Sequence, residues 1–431
     1  MSHINSYWHA TASNIKSREP LKNHIKTDVA IIGGGFSGLA TAYFLSKSGV
    51  HTVVLEQNKI GWGASGRNAG MLTTGYKNST ESLSKKVGLK KAKELLEMSV
   101  DCIQLVDDVA KEENIDCSIN YNGGLKLAYK RKHFDSLKRE HEFMLNNFDY
   151  ETKIIEPTSM KEEIHSPLYR HGALMDPHSF AFHPLNYALG LGETIEKYGG
   201  FIYEHSEATS IKKIKNGYEI ITPTGKVHAS EIVIATNGYS TKKVDNKLSR
   251  SIIPIDSHVI TTEQLHEDVA NRLIPKNRVT IDTKNFLYYF RVTEDHRLLF
   301  GGRVSFAKSG TSQSDPSLFE SLRQGMIDVF PELKDKNIDY QWGGTTAFTF
   351  DFMPHFGKTK KGEYFITGFC GHGAAMSTLI GKLVAKDIMA NSSIMDNALA
   401  KLPLRKIPFH SQHGKVLNVA EGFMKVKDKL L

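Results

Sequence analysis

A glycine-rich turn between a buried strand and an apolar helix constrains this chain more than any other feature. The sequence DVAIIGGGFSGLA at 28–40 contains G-x-G-x-x-G at Gly33, Gly35 and Gly38. The first glycine permits a tight turn, the second lets a pyrophosphate approach the backbone, and the third brings the helix close to the strand. The helix N-terminus also offers free N–H groups to phosphates. The pattern predicts a dinucleotide-binding β-α-β unit.

An acidic residue closes the second strand of this unit. Residues 52–55 form the strand and Glu56 follows, 18 residues after Gly38. This is near the spacing of about 20 residues at which an acid binds a ribose hydroxyl. An acid here disfavours the 2′-phosphate of NADP, because the two negative charges repel each other. Strand, turn, helix, second strand and acid agree, so a glycine-rich turn without a ligand is a poor alternative.

Composition and charge are those of an ordinary globular protein. The chain has 431 residues, of which 40% are hydrophobic and 24% charged, enough for two domains or one large interwoven unit. The net charge is +8, but the basic residues are scattered through mixed stretches such as 85–93 and 130–139. This distribution favours solvated helix faces over a nucleic-acid surface, because no RNA- or DNA-binding motif accompanies it.

Cysteine usage and hydropathy indicate the compartment. Cys102, Cys117 and Cys370 lack C-x-x-C spacing, so we expect neither a disulfide framework nor a bound metal. No apolar run reaches the ~18 residues needed to span a bilayer. The first residues lack the basic-then-apolar pattern of a signal peptide. We therefore expect a cytoplasmic protein without a transmembrane segment.

Nucleotide-binding signals occur near the start, the middle and the end of the chain, with sheet-forming segments between them. This order predicts an α/β (α+β) fold, in which a Rossmann-like domain assembled from separated segments joins a second, mostly antiparallel sheet domain. The first domain is assigned residues 27–115, 185–250 and 340–400. The second, the substrate domain, is assigned residues 116–184 and 251–339.

The two ends of the chain lie outside these domains. Residues 1–26 form a polar leader, in which Tyr7 and Trp8 are expected to dock on the body of the protein. Residues 401–431 form a tail that is predicted to end in a basic amphipathic helix. Within the substrate domain, residues 252–305 are predicted to form antiparallel strands.

Three further segments change the general dinucleotide signal into a flavin signal. They are KIGWGASGRNAGML at 59–72, IVIATNGYS at 232–240 and GFCGHGAAMSTLIGKLVAKDI at 368–388. Together with the first motif they resemble the D-amino-acid oxidase-like FAD-dependent oxidoreductases, most closely the γ-glutamylputrescine oxidoreductase branch. The resemblance extends over most of the chain. It implies an FAD-binding Rossmann-like domain and a substrate domain whose sheet covers the flavin.

The resemblance assigns FAD contacts to residues in four motifs. The first motif supplies Gly33, Gly35, Phe36, Ser37, Gly38 and Glu56; the second supplies Gly63, Ala64, Ser65, Gly66, Arg67, Asn68, Ala69, Gly70 and Met71; the third supplies Thr236 and Gly238; the fourth supplies Gly371, His372, Gly373 and Ala374. The helix after the fourth motif is implied to direct its N-terminus at the N1/C2 edge of the flavin. A helix N-terminus stabilises the negative charge of a reduced flavin there.

Departures from the family pattern indicate how cofactor and substrate are held. Relatives that bind flavin covalently use a cysteine or a histidine where this chain has Gly344 or Arg67, so we expect non-covalent FAD. Relatives that hold a substrate carboxylate beside the ring use a lysine where this chain has Ala375. This favours an amine whose carboxylate lies far from the ring. A lysine that activates oxygen in relatives corresponds to Leu299, so the acceptor stays open between oxygen and a carrier.

The resemblance implies an amine oxidation of the kind used in polyamine catabolism, acting on γ-glutamylputrescine or a similar small-molecule amine. Hydride would pass to flavin N5, giving an imine, then an aldehyde and ammonia, with hydrogen peroxide if oxygen is the acceptor. The catalytic candidates are His372, Arg67 and Tyr289. His372 has an open alternative, a hydrogen bond within its own loop, and Arg291 is an alternative to Tyr289. Only one face of strand 288–292 can reach the ring, because side chains alternate along a strand.

Three competing functions remain at this stage. One is a D-amino-acid, glycine or sarcosine-type oxidase or dehydrogenase of the same fold, against which the missing lysine at Ala375 argues. Another is a non-catalytic nucleotide-binding protein with a basic surface. The third is an NAD dehydrogenase, which would leave the late G-H-G segment without a role.

Overall fold

The computed structural model describes residues 3–242, 244–305, 315–390, 397–408 and 410. Within these residues, helices and strands alternate along the chain. The α-helices are α1 (Tyr7–Ala10), α2 (Phe36–Lys47), α3 (Thr80–Val87), α4 (Leu89–Glu112), α5 (Arg131–Phe148), α6 (Pro184–Lys197), α7 (Asn246–Ser249), α8 (Glu267–Leu273), α9 (Pro316–Val329) and α10 (Gly373–Ala390).

The strands fall into two large sheets and one short pair. In chain order they are β1 (His24–Ile32), β2 (Thr52–Leu55), β3 (Met71–Leu72), β4 (Gly124–Leu127), β5 (Lys153–Ile155), β6 (Ala173–Asp176), β7 (Phe180–Ala181), β8 (Phe201–Tyr203), β9 (Ser210–Ile214), β10 (Gly217–Ile221), β11 (Lys226–Ile234), β12 (Ile253–Thr262), β13 (Val279–Asp282), β14 (Tyr289–Val292), β15 (Leu298–Ser305), β16 (Ile338–Phe348), β17 (His355–Lys358) and β18 (Tyr364–Thr367).

The first sheet is built around parallel strands from distant parts of the chain. Its order is β17-β18-β11-β1-β2-β8, and the hairpin β9–β10 extends from β11. The five strands from β18 to β8 are parallel to one another. The second half of β1 and all of β2 are buried, because a parallel sheet is covered on both faces. Helix α2 packs on α10, where Gly381 lies against Ala40.

The second sheet is mostly antiparallel and has its own core. Its order is β16-β12-β15-β14-β13-β4-β6-β5, and β12 pairs antiparallel with both β15 and β16. Phe290, Phe300 and Phe330 are fully buried on one face of the sheet, together with Met326 from α9. The two sheets, one parallel and one antiparallel, confirm the predicted α/β (α+β) architecture.

The leader docks on the body through two aromatic side chains, as predicted. Trp8 is only 1% exposed, and its indole N–H donates to the carbonyl of Asn68 over 2.7 Å. The Tyr7 hydroxyl donates to Asp295 of the second-sheet region over 2.6 Å. The short helix α1 therefore joins the second motif to the turn between β14 and β15.

Two features of the second sheet differ from the expectation for residues 252–305. Helix α8 interrupts the strands, and β13 is parallel to β4 rather than antiparallel. The helix has a local signal that could have revealed it. The His266 imidazole caps its first turn by accepting from the Asp268 N–H, and Glu267 and Asp268 follow in that turn, where acids are favourable.

The strand pairing also moves one predicted boundary. Strand β16 hydrogen-bonds to β12 along its length, so residues 340–348 lie in the second sheet although the sequence assigned them to the dinucleotide-binding segment. The reason is that β16 carries no dinucleotide signal of its own and pairs with a strand far away in the sequence. The rest of the domain division stays a prediction, and the predicted tail helix lies outside the described residues.

Candidate active site

The first motif forms a turn at the carboxyl ends of the parallel strands. Gly33 has φ +111°, and a Cβ on it would lie 2.8 Å from the carbonyl oxygen of Ala235, so only glycine fits between β1 and the third motif. Gly35 is the N-cap of α2 and supplies no side-chain cap. The N–H of Phe36 donates to Ser65 Oγ over 2.9 Å. The first three motifs therefore meet at the N-terminus of α2. Ser37 and Gly38 lie in the first turn of this helix.

Glu56 lies at the end of β2 and hydrogen-bonds to the turn itself. Its carboxylate accepts from the N–H of Gly34 over 2.7 Å and from the N–H of Asn58 over 2.8 Å. Burial raises the pKa of Glu56 to about 7, although these hydrogen bonds oppose the shift. Glu56, the predicted ribose ligand, thus lies at the expected edge of the sheet. Its carboxylate also holds the glycine turn in place.

The second motif folds into a compact loop from Gly63 to Met71. Its core is a 3₁₀ turn, Ala64–Gly66, and Asn68 closes the loop by donating to the carbonyl of Ser65 and accepting from the Gly70 N–H. Ala69 packs against the main hydrophobic core. Strand β3 then begins at Met71. These contacts make the loop a rigid wall beside the first turn.

Arg67 joins this loop to the second sheet. Its Nε donates to the Trp62 carbonyl over 2.6 Å, and one terminal nitrogen donates to the Gly343 carbonyl of β16 over 3.2 Å. The guanidinium lies 4.0 Å from the centre of the Trp62 ring. In return, the Trp342 indole donates to the Arg67 carbonyl over 2.9 Å. Trp342 thus packs at the junction of the loop and the second sheet.

The third and fourth motifs meet beside the same turn. The Asn237 side chain accepts from the N–H of Gly368 over 2.9 Å, which brings Thr236 and Gly238 next to the G-H-G segment. The N–H of Cys370 donates to the Ala347 carbonyl over 3.0 Å. Helix α10 begins at Gly373, with Ala374 in its first turn.

His372 is held in this segment as a neutral imidazole. The backbone N–H of His372 donates to the Phe369 carbonyl over 2.9 Å. The ring Nδ1 lies 3.4 Å from the Cys370 carbonyl. Burial and the charge of Lys77 lower the pKa of His372 to about 4. If Nδ1 carries the proton and donates to that carbonyl, Nε2 is an acceptor. The loop hydrogen bond and a ligand contact are therefore compatible.

The strand β14 alternates as predicted. Tyr288 and Phe290 lie in the core of the second sheet, whereas Tyr289 packs on the main core on the other face. The Tyr289 hydroxyl lies 2.9 Å from Ser257 Oγ of β12. Ser257 was not predicted, because it approaches Tyr289 only through the pairing of β12, β15 and β14.

Arg291 shares the face of Tyr289. It donates to the Gly70 carbonyl over 2.7 Å and lies over the Trp8 ring. It is 6% exposed, and its Nε has no hydrogen-bond partner among the described residues. Burial lowers the pKa of Arg291 to about 10. The structure brings Arg291 against the second motif, to which sequence had not connected it.

Comparison with known proteins identifies the family. Residues 28–386 match the family model described as DAO, FAD dependent oxidoreductase. The protein belongs to this family. The gamma-glutamylputrescine oxidoreductase of Escherichia coli is 34% identical over 407 residues, covering 94% of this chain and 93% of the relative. The "Probable oxidoreductase OrdL" of Haemophilus influenzae is 32% identical and covers 90% of this chain and 89% of its own.

Solved structures share the fold of this DAO-family enzyme. The crystal structure of glycine oxidase from Geobacillus kaustophilus has a TM-score of 0.77 at 22% identity, covering 89% of this chain and 99% of the other. These comparisons confirm the predicted family, the enzyme class and FAD as cofactor. None of the described helices combines the length and the hydrophobicity that crossing a membrane requires.

The residues of the site suit FAD. Gly35 supplies no side-chain cap to α2, and the first N–H groups of a helix lack partners within it. Ser65 accepts from the N–H of Phe36, so the N–H groups of Ser37 and Gly38 are the ones available to a pyrophosphate. A Cβ on Gly371 would meet no atom within 4 Å among the described residues, so space is open beside the G-H-G segment. The individual contacts with FAD remain predictions, but contacts within the protein join the four predicted motifs in one cluster.

Proposed function

We propose that this enzyme oxidises the terminal amine of γ-glutamylputrescine or of a similar extended amine. The observation that carries the proposal is the sequence identity of 34% to the Escherichia coli gamma-glutamylputrescine oxidoreductase. The matched region spans 94% of this chain and 93% of the relative. Similarity of this extent covers both sheets, and therefore includes the segments that would contact the substrate as well as those for FAD.

The composition of the fourth motif supports an extended substrate. Ala375 in the first turns of α10 is 4% exposed and supplies no charge beside the G-H-G segment. A carboxylate held there without a cation would lose its hydration without compensation. An α-amino acid, whose carboxylate adjoins the reacting carbon, would incur this cost. An amine with a distant carboxylate would avoid it.

The residues of the chain would orient the amine and exclude water. FAD, when bound, accepts the hydride from the carbon beside the amine nitrogen. His372 would accept a hydrogen bond from the neutral amine through Nε2, since its lowered pKa keeps the ring uncharged. Tyr289, fixed by Ser257, would form the opposite wall. Arg67 would keep the two sheets in register through its contacts with Trp62 and Gly343.

The test is anaerobic mixing of the purified flavoprotein with an amine panel, followed by flavin absorbance. We expect rapid bleaching by γ-glutamylputrescine and slower bleaching by putrescine. Glycine, sarcosine and D-alanine should reduce the flavin far more slowly. Fastest reduction by one of these three would replace the proposal by the amino-acid oxidase alternative, and no reduction by any amine would refute it.

Two further measurements complete the test. Acid precipitation should leave the yellow FAD in the supernatant, because we propose that it is bound non-covalently. Re-oxidation of the reduced enzyme by oxygen or by a quinone identifies the acceptor.

A further inference from the structure

Two phenylalanine side chains project into solvent from the turn between β16 and β17. Phe350 is 53% exposed and Phe352 is 45% exposed. Among the described residues, only one other phenylalanine, Phe201 at 56%, is as open to solvent. Phe352 has φ +60°, which is rare for a bulky residue, so the turn holds this ring outward at a cost in backbone strain. We call residues 349–353 the aromatic turn.

Hydrogen bonds make the aromatic turn rigid. The Thr349 hydroxyl donates to the Met353 carbonyl over 2.7 Å, and the Met353 N–H donates to the Asp351 carboxylate over 3.3 Å. The same carboxylate oxygen lies 2.9 Å from His355 Nε2. On the inner side, Thr349 Oγ1 lies 3.5 Å from Cys370 Sγ of the fourth motif. The two exposed rings therefore stand on a fixed support, which lowers the conformational entropy that binding would cost.

Cations lie beside the aromatic turn. The Asn78 side-chain amide donates to the Asp351 carbonyl over 2.9 Å and accepts from the Lys86 ammonium over 3.1 Å. One amide group thus separates the Lys86 ammonium from the backbone of the turn. Lys77 directly precedes Asn78, and both lysines are exposed. The surface at this place therefore combines two open aromatic rings with two lysines.

We propose that the aromatic turn binds the surface of an anionic lipid bilayer. Phe350 and Phe352 would insert at the level of the headgroups, and Lys77 and Lys86 would contact lipid phosphates, as apolar and basic side chains do at membrane surfaces. The net charge of +8 attracts an anionic surface and repels a second copy of the chain. Charge complementarity therefore favours a membrane over self-association at this turn. The inference goes beyond the proposed amine oxidation and does not depend on it.

Binding through this turn would also orient the active site. The Ala347 carbonyl of β16 accepts from the Cys370 N–H over 3.0 Å, so the strand that leads into the turn is bound to the fourth motif. The fourth motif would then lie close to the bilayer. A quinone, which belongs to one of the two acceptor classes left open, is dissolved in such a bilayer.

The first test is co-sedimentation of the full, FAD-loaded chain with lipid vesicles. We expect binding to vesicles of phosphatidylglycerol and phosphatidylethanolamine, weaker binding in ~0.5 M NaCl, and little binding to phosphatidylcholine alone. The double variant Phe350→Ser, Phe352→Ser should lower the partition coefficient about tenfold or more, because the apolar burial is lost. Lys86→Gln should lower it about fivefold, equivalent to ~1 kcal/mol. No binding of the wild type to the anionic vesicles, or equal binding of the double variant, would overturn the proposal.

Phe201 supplies the matched control, because it is equally exposed but belongs to β8 of the first sheet. Phe201→Ser should bind the anionic vesicles as the wild type does, and circular dichroism with flavin absorbance checks that each variant is folded. An equal loss of binding in Phe201→Ser would indicate a general effect of exposed apolar groups and overturn the assignment. Sedimentation velocity tests self-association. A wild-type dimer that the double variant dissociates, with vesicle binding unchanged, would make the turn a contact between copies and would also overturn it.

A fluorescent probe tests insertion itself. In Phe350→Trp the emission, after subtraction of the wild-type signal, should shift to shorter wavelength on anionic vesicles and should be quenched by brominated lipids, since indole rings settle at the membrane interface. An unshifted and unquenched emission on vesicles that bind the protein would refute insertion of the turn. Neither measurement uses an amine. A failure of the proposed function would therefore appear only in the flavin-reduction assay, and a failure of this proposal only with the vesicles.

Discussion

The two sheets contribute to the active site by different means. The first sheet presents backbone groups, and at Gly33 a side chain is excluded by the Ala235 carbonyl. The second sheet presents side chains, among them Tyr289 and Arg291, on the face that packs against the flavin-binding half. A backbone cradle can serve one cofactor in many enzymes, whereas a face of side chains can vary with the substrate. We therefore expect cofactor and substrate recognition to be carried by different halves.

The largest effect is expected where a side chain enters the backbone cradle. Gly33→Val would place a branched side chain at φ +111° against the Ala235 carbonyl, and such strain persists only if the surroundings yield. We expect the purified variant to retain almost no FAD, measured as the ratio of absorbance near ~450 nm to protein absorbance. Gly49→Asn, at the end of the same helix and in open space, is the control. Full FAD content in Gly33→Val would refute the cradle.

A smaller but still large effect is expected at the junction of the two halves. Arg67→Met removes the donors to the Trp62 and Gly343 carbonyls and leaves both acceptors without their partner, which costs ~1–3 kcal/mol for each buried group. We expect kcat/KM for the best amine to fall about tenfold to a hundredfold, which corresponds to a loss of ~1.4–2.7 kcal/mol in the transition state, only part of the total cost of the two lost bonds. Arg67→Lys should recover only part, because a lysine cannot reproduce the guanidinium fork. Equal kcat/KM values for Arg67→Met and Arg67→Lys would assign Arg67 a role in packing alone.

A pH-dependent effect is expected at His183, which caps α6 by accepting from the Asn186 N–H. Burial, and then the Arg291 charge from the second sheet, lower the pKa of His183 to about 4. The unfolded chain, with a His pKa of about 6.5, therefore binds the proton first. Stability is present above pH ~6.5 and is lost as the pH falls toward 4.

The variant His183→Asn keeps the capping acceptor and removes this titration. From pH 8 to pH 5 the wild type should lose about 2 kcal/mol more unfolding free energy than the variant, as the linkage relation gives for these two pKa values. Urea unfolding at the two pH values measures the difference. Parallel losses in both proteins would show that His183 is not the titrating group.

The smallest effect is expected at Cys370. Burial raises the pKa of its thiol to about 11, so almost no thiolate is present at neutral pH, and only the thiolate reacts. Cys370→Ser should keep kcat within about twofold, and iodoacetamide should leave the wild type active at pH 7.5. Rapid inactivation of the wild type but not of the serine variant would give Cys370 a place in the reacting centre.

The parts of the site that local sequence determines were predictable. The glycine turn, the helix that follows it and the strand at 52–55 were expected where the structure has them, because the glycine spacing and the apolar runs mark them. The alternation of the two faces along residues 288–292 was also predicted correctly. Each depends on neighbours along the chain.

The parts that depend on strand pairing were not predictable. The contact between Tyr289 and Ser257 requires the order β12-β15-β14, and the contact of Arg291 with Gly70 joins two halves that share no local pattern. Helix α8 was missed for a different reason, since its capping residues are present in the sequence but the whole range 252–305 was assigned to antiparallel strands.

The late pairing of the central strand β1 has a consequence for folding during synthesis. Its partner β2 follows it closely, but β11, β18 and α10 are synthesised much later. On the ribosome the emerging chain therefore carries an unfinished sheet edge during most of translation, and an open edge invites aggregation. The cofactor can be captured only after nearly the whole polypeptide has been released. Yield in a host cell should accordingly depend on the supply of chaperones and of riboflavin.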